Sequence, residues 1–154
     1  MRLGIAGYGS IGQYLGGVFG AAHDIVVYDP PKGIGSCAEM DTCEWVFISV
    51  PTPELPDGSC DTSYVESVVR TLTPARGFIC HSTVAVGTTE RLSARYGKRI
   101  VFVPEFAGEA PDHRYRNIEN RTFFILGGEP EATAEVEPIF ASVTGPRAGS
   151  RTYR

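Results

Sequence analysis

The sequence lacks paired metal-binding or cross-linking residues. Its four cysteines, Cys37, Cys43, Cys60 and Cys80, show no CxxC spacing, and its three histidines stand apart from one another. That argues against a zinc site or a disulfide framework, and a reducing cytoplasm is the expected compartment. No metal is expected. An excess of positive charge is also missing. Fourteen Lys and Arg against eighteen Asp and Glu give a net charge of −4, so nucleic acid is not an expected partner. No stretch approaches the roughly 18 consecutive apolar residues of a membrane span. The longest apolar run, Trp45–Val50, has the length of a strand. A single basic residue, Arg2, precedes a glycine-rich strand pattern, so no signal peptide is expected. Internal repeats, low-complexity tracts and linkers are missing too.

The chain that remains is 154 residues long, about one domain, and 42% hydrophobic, enough for a real core. Short β-branched runs alternate with helical stretches. Strands are predicted at Arg2–Ala6, Ile25–Asp29, Trp45–Val50, Phe78–His81, Ile100–Val103 and Thr122–Leu126. They are continuous apolar runs, as in strands covered on both faces. Helices are predicted from Ser10 to about Ala22 and from Gly87 to Tyr96, the latter closed by Gly97. Another presents Val65, Val68, Val69 and Leu72 after a cap at Asp61 or Thr62, and a last one runs from Pro130 to about Ser142. This alternation predicts an α/β fold, a doubly wound and mostly parallel sheet of about six strands in the order 3-2-1-4-5-6 with helices on both faces. The sixth strand has the option of running antiparallel. The domain is expected over 1–145, with 146–154 a frayed tail or the stub of a connector.

The first predicted strand runs into Gly7-Tyr8-Gly9-Ser10-Ile11-Gly12, a GxGxxG sequence that then opens a helix. Gly7 permits the tight turn, Gly9 lets a pyrophosphate approach the backbone, and Gly12 lets helix and strand pack closely. The phosphates would rest on free N–H groups at the helix N-terminus. Strand two ends in Asp29, 22 residues after Gly7, where an acidic residue holds the adenosine ribose. A carboxylate there accepts hydrogen bonds from the 2′-OH of NAD and repels the 2′-phosphate of NADP. NAD is therefore the expected cofactor. Lys32, three residues on from Asp29, has the option of softening that repulsion but reads as a solvated surface lysine. Cys80 reads as a small buried hydrophobe and His81 as a structural strand-end histidine.

Further segments occur in order: Val46–Pro53 (VFISVPTP), Asp57-Gly58 followed by Asp61–Val65 (DTSYV), Ile79–Thr88 (ICHSTVAVGT), Val103–Glu109 (VPEFAGE) and Asn120–Gly128 (NRTFFILGG). With GYGSIG they resemble the NAD-binding domain, a Rossmann domain, of the UDP-glucose/GDP-mannose 6-dehydrogenase family. That resemblance implies oxidation of a nucleotide sugar at C6 from alcohol to carboxylate, with a nucleophilic cysteine supplied by a second domain or chain. It implies catalytic roles for Thr83, beside the nicotinamide and the catalytic water, for Glu105 as general base in thioester hydrolysis, and for Glu109 in shaping the pocket. It adds Val50, Pro51, Thr52 and Thr83 to the cofactor contacts. The short Pro30–Glu44 connection, His81 and Gly108 depart from the family pattern, and no cysteine has the setting of the family nucleophile. By itself the chain is thus expected to bind NAD without turnover. A non-catalytic dinucleotide-binding module and one half of a split dehydrogenase are the alternatives, and a homodimer stays open.

Overall fold

The structure, a computed structural model, describes residues 1–106, 112–113, 118–121, 123–144 and 149–153, of which 119 and 149–153 as backbone. Strands β1 (Arg2–Ala6), β2 (Asp24–Tyr28), β3 (Trp45–Ile48), β4 (Gly77–Cys80), β5 (Ile100–Phe102), β6 (Phe123–Gly127) and β7 (Gly149–Tyr153) form one sheet in the order β2-β1-β3-β4-β5-β6-β7. The ladders from β2 to β5 are parallel. Strand β6 runs antiparallel to β5, which it joins through Phe102 and Gly127, and β7 runs parallel to β6.

Alternation along the strands divides the core in two. Leu3, Ile5, Trp45, Phe47, Ile79 and Val101 face one side, where α1 (Ser10–Phe19) and α5 (Pro130–Ala141) cover them with Leu15, Phe19, Val136 and Phe140. Ala6, Val46, Ile48, Phe78 and Cys80 face the other side, under α2 (Cys37–Met40), α3 (Ser63–Thr71) and α4 (Thr88–Tyr96). The chain is therefore the doubly wound domain that the element pattern predicts. The amphipathic reading of α3 is matched by burial of Val65, Val68 and Val69. Asp61, not Thr62, supplies the local cap, accepting the Ser63 N–H at 2.9 Å. Gly97 closes α4 in the left-handed conformation.

Three expectations need correction. The predicted order 3-2-1-4-5-6 puts the third strand outside the second, whereas β3 lies on the opposite side of β1. Burial explains this. All four residues of β3 are buried, a demand that only an interior position meets, while β2 is half-exposed at the edge. The connection from β2 holds only a 3-10 turn and one turn of helix, and nothing in it can form an outer strand. Second, 149–153 is a seventh strand on the β6 edge rather than a frayed tail. Backbone pairing places it, and its GSRTY sequence carries no apolar run. Third, α1 ends at Phe19, because the chain must reverse into β2 at Asp24, and the His23 N–H already bonds back to the Phe19 carbonyl at 2.9 Å. Thr122, the predicted start of the sixth strand, lies outside the described residues.

Candidate cofactor cleft

The carboxyl ends of β1, β3, β4 and β5 open onto one cleft of about 830 Å³, in the size range of cofactor sites. The glycine loop forms its base. Gly7 leaves β1 with φ +92°, and its N–H donates to the Tyr28 carbonyl at 2.9 Å. A Cβ on Gly7 would lie 2.6 Å from the Ser49 carbonyl oxygen, and one on Gly12 would lie 2.1 Å from the Gly7 carbonyl oxygen. Both glycines are thus required by the protein itself. Gly9 differs. A Cβ there would meet nothing within 4 Å, so its bareness serves the cleft and not the fold. The first turn of α1 has no side-chain cap and no acidic residue, which leaves its N–H groups to an anion. These features fit a dinucleotide pyrophosphate.

Asp29 stands at the end of β2, 9% exposed and facing the glycine loop. Its Oδ2 accepts the Tyr8 N–H at 2.8 Å. Lys32 is exposed, as expected, yet it is anchored at the cleft. Its ammonium donates to the Tyr8 carbonyl at 2.6 Å and lies 3.6 Å from Asp29 Oδ2. The cause is the turn after β2. Pro30–Lys32 forms a 3-10 turn, Gly33 is left-handed, and Asp29 and Ile34 exchange hydrogen bonds of 2.9 and 3.1 Å. The chain curls back over the loop and brings Lys32 with it.

The opposite wall comes from the segment after β3. The Ser49 hydroxyl donates to the Gly7 carbonyl at 2.8 Å, and the Ser82 hydroxyl to the Val50 carbonyl at 2.8 Å. These bonds lock the ends of β1, β3 and β4 together beneath the cleft. Val50, Pro51 and Thr52 line it, and exposed Thr83 stands at its mouth. The Cys60 thiol donates weakly to the Thr83 and Thr52 carbonyls at 3.4 and 3.7 Å, which joins the two segments. Cys80 is buried, and burial pushes its thiol up to about 12.

The far end of the cleft holds a buried polar cluster. Glu105 follows β5 and lines the cleft, and Arg121 donates to its Oε1. The guanidinium is itself buried, 5.5 Å from the centre of the Tyr14 ring and 5.7 Å from that of Phe124. His81 Nδ1 lies 3.6 Å from Glu105 Oε2. Burial lowers His81 to about 4. Glu105 works against that shift, and Arg121 adds to it. The imidazole is therefore neutral at pH 7, and its contact with Glu105 is not an ion pair. Among the described residues, no group of three metal-ligating side chains occurs. Among the same residues, no helix is long and apolar enough to cross a membrane.

The structure thus brings Gly7, Tyr8, Gly9, Ser10, Ile11, Asp29, Val50, Pro51, Thr52, Thr83 and Glu105 to one cleft, with Gly12 packed behind Gly7. Glu109 lies outside the described residues. Sequence reasoning missed Ser49, Ser82 and Arg121, and placed Lys32 near Asp29 without its contact to Tyr8. The serines immediately after two strands were the available signal for Ser49 and Ser82, and the turn residues Pro30 and Gly33 were the signal for Lys32.

Residues 35–144 match the NAD binding domain of the UDP-glucose/GDP-mannose dehydrogenase family. The match begins beyond the glycine loop and Asp29. Among solved structures, the chain is similar to a UDP-D-ManNAc dehydrogenase from Pyrococcus horikoshii, with TM-score 0.79 and 20% identity, covering 99% of this chain and 47% of that one. A UDP-glucose dehydrogenase from Pyrobaculum islandicum gives 0.77 and 22%, covering 98% and 46%. A GDP-mannose dehydrogenase from Pseudomonas aeruginosa gives 0.76 and 19%, covering 99% and 46%. The chain spans about half the length of each, and at these identities the likeness is one of fold.

Proposed function

The chain belongs to the UDP-glucose/GDP-mannose dehydrogenase family, through its NAD binding domain, and from that premise we propose that it is the cofactor half of a nucleotide-sugar 6-dehydrogenase. The substrate would be a UDP-glucose-like sugar whose C6 alcohol becomes a carboxylate, with the nucleophilic cysteine supplied by a second domain. The observation that carries this reading is the single cleft in which the glycine loop, Asp29 and Glu105 converge. A membership resting on cofactor binding alone would not need a carboxylate, held by a buried arginine, at the far end.

In this reading Gly7 to Gly12 and the first turn of α1 receive the pyrophosphate, and Asp29 takes the adenosine ribose. Val50, Pro51, Thr52 and Thr83 flank the nicotinamide end. The chemistry that NAD supplies when bound is acceptance of hydride. Thr83 orients water at the mouth of the cleft. Glu105 takes the proton from that water when the thioester is hydrolysed, and Glu109 shapes the sugar pocket. The four cysteines are free thiols, which suits a reducing cytoplasm. Homodimerisation is the matching proposal for assembly.

Calorimetric titration of the chain with NAD, NADP and UDP-glucose tests the reading. NAD is expected to bind and NADP to bind at least about tenfold more weakly, about 1.4 kcal/mol. Asp29→Ala is expected to erase that preference. UDP-glucose alone should not bind, and the chain alone should not reduce NAD in its presence. Equal affinity for NADP would overturn the NAD assignment. Turnover by this chain alone would overturn the need for a second domain.

A further inference from the structure

We propose that His81 is a positioning residue for Glu105: its neutral imidazole carries the proton on Nδ1 and donates it to Oε2, while Arg121 holds Oε1. The carboxylate is then gripped at both oxygens and kept facing the cleft. The inference rests on the reading of Glu105 as the acting base, and it concerns how that base is held.

Strand alternation places His81 on the side of Ile79 and Phe47, in an apolar layer. Its ring centre lies 5.4 Å from that of Phe47 and 5.8 Å from that of Phe140. A side chain chosen only for packing would be apolar here. The imidazole side chain is fully buried, yet among the described residues neither ring nitrogen has a hydrogen bond. Burying such a group without a partner is costly. Among the described residues, the titratable and charged groups that face it are Glu105 and Arg121. Arginine can only donate, so it cannot satisfy a ring N–H. Glu105 Oε2, at 3.6 Å from Nδ1, can. A movement of about half an ångström brings the two into hydrogen-bond range. Because burial keeps the ring neutral, it has one proton to place, and an accepting carboxylate decides that it sits on Nδ1.

Glutamine at position 105 supplies a discriminating test. Arg121 requires an acceptor, so the amide oxygen must take the Oε1 position and the NH2 group must face His81. Nδ1 then has to accept, and the ring proton must move to Nε2. Long-range 1H–15N correlation spectra of the labelled full chain at pH 7 distinguish the two tautomers, with His81→Phe identifying the signals. The parent is expected to show a protonated Nδ1 and a bare Nε2, and Glu105→Gln the reverse. A parent spectrum with the proton on Nε2 overturns the proposal and needs no variant. An unchanged tautomer in folded Glu105→Gln overturns it independently. A purely packing histidine would not respond to the amide. The spectra do not depend on NAD binding, so failure of this proposal and failure of the functional reading are told apart by the titration described above.

Discussion

A Gly9→Ala variant is expected to fold as stably as the parent and to bind NAD about a hundredfold more weakly, a loss of about 2.7 kcal/mol. Gly9 has φ −78° and ψ −160°, which alanine adopts without strain, and its Cβ would enter open space. That space is where the pyrophosphate approaches the backbone in the proposed function. Gly12→Ala is the instructive contrast. Its Cβ would meet the Gly7 carbonyl oxygen at 2.1 Å, backbone against backbone. Helix α1 would have to lift from β1, at a cost of about 3 kcal/mol in stability. Urea unfolding with and without NAD reads both effects. The parent in excess NAD at about 100 times Kd should gain about 2.7 kcal/mol, and Gly9→Ala should gain little at the same concentration. If Gly9→Ala binds like the parent, the phosphates do not rest on this loop.

The second large effect is acid sensitivity. Folded His81 takes its proton near 4, while the unfolded residue takes it near the ordinary 6.5. Between those values the unfolded chain binds a proton that the folded chain refuses, so stability rises with pH across this window. The contribution is fully present above 6.5 and is lost as the pH falls towards 4. Its size is on the order of 3 kcal/mol. His23, lowered by partial burial and by the N-terminal amine, adds a change of the same sign. Asp57, Asp61 and Glu66 are held below their ordinary values by hydrogen bonds, so their contributions are lost mainly below this window. The comparison that isolates His81 is therefore parent against His81→Gln, by denaturant unfolding at pH 6.5 and 4.5. The variant should show a much flatter slope, and equal slopes would mean that His81 is not the group responsible.

Local chemistry made much of the site legible. The glycine loop, the strand before it, the helix after it and Asp29 lie within one short βαβ stretch, where spacing alone predicts geometry. The apolar runs marked β1 to β6 but not β7, whose sequence has none, and the helical spacing of Val65, Val68, Val69 and Leu72 marked α3. What stayed hidden depends on contacts between distant parts of the chain. The position of β3 follows from burial on both of its faces, a property of the sheet and not of the segment. Lys32 reaches Tyr8 because the 3-10 turn Pro30–Lys32 folds the chain back after β2, closed by left-handed Gly33. His81, Glu105 and Arg121 come from three separate connections and share no periodicity, so their cluster exists only once the sheet has formed.

Strand β6 joins the sheet by reversing direction at Phe102 and Gly127. The parallel body and the β6–β7 edge therefore share few ladder bonds, and their union rests on side chains. Phe140 of α5 stacks across the boundary on Phe19 and near Phe47, and Arg121 reaches over it to Glu105. Aromatic packing and the buried Arg121–Glu105 pair thus join the two parts, together with the aliphatic side chains of Leu126, Val136 and Ile139 and the ion pairs of Glu135 with Arg76 and Arg99. In the proposed function the carboxylate that acts in the cleft is thus the same one that clasps Arg121 across the seam, so a change at Glu105 is felt both by the cleft and by the sheet edge.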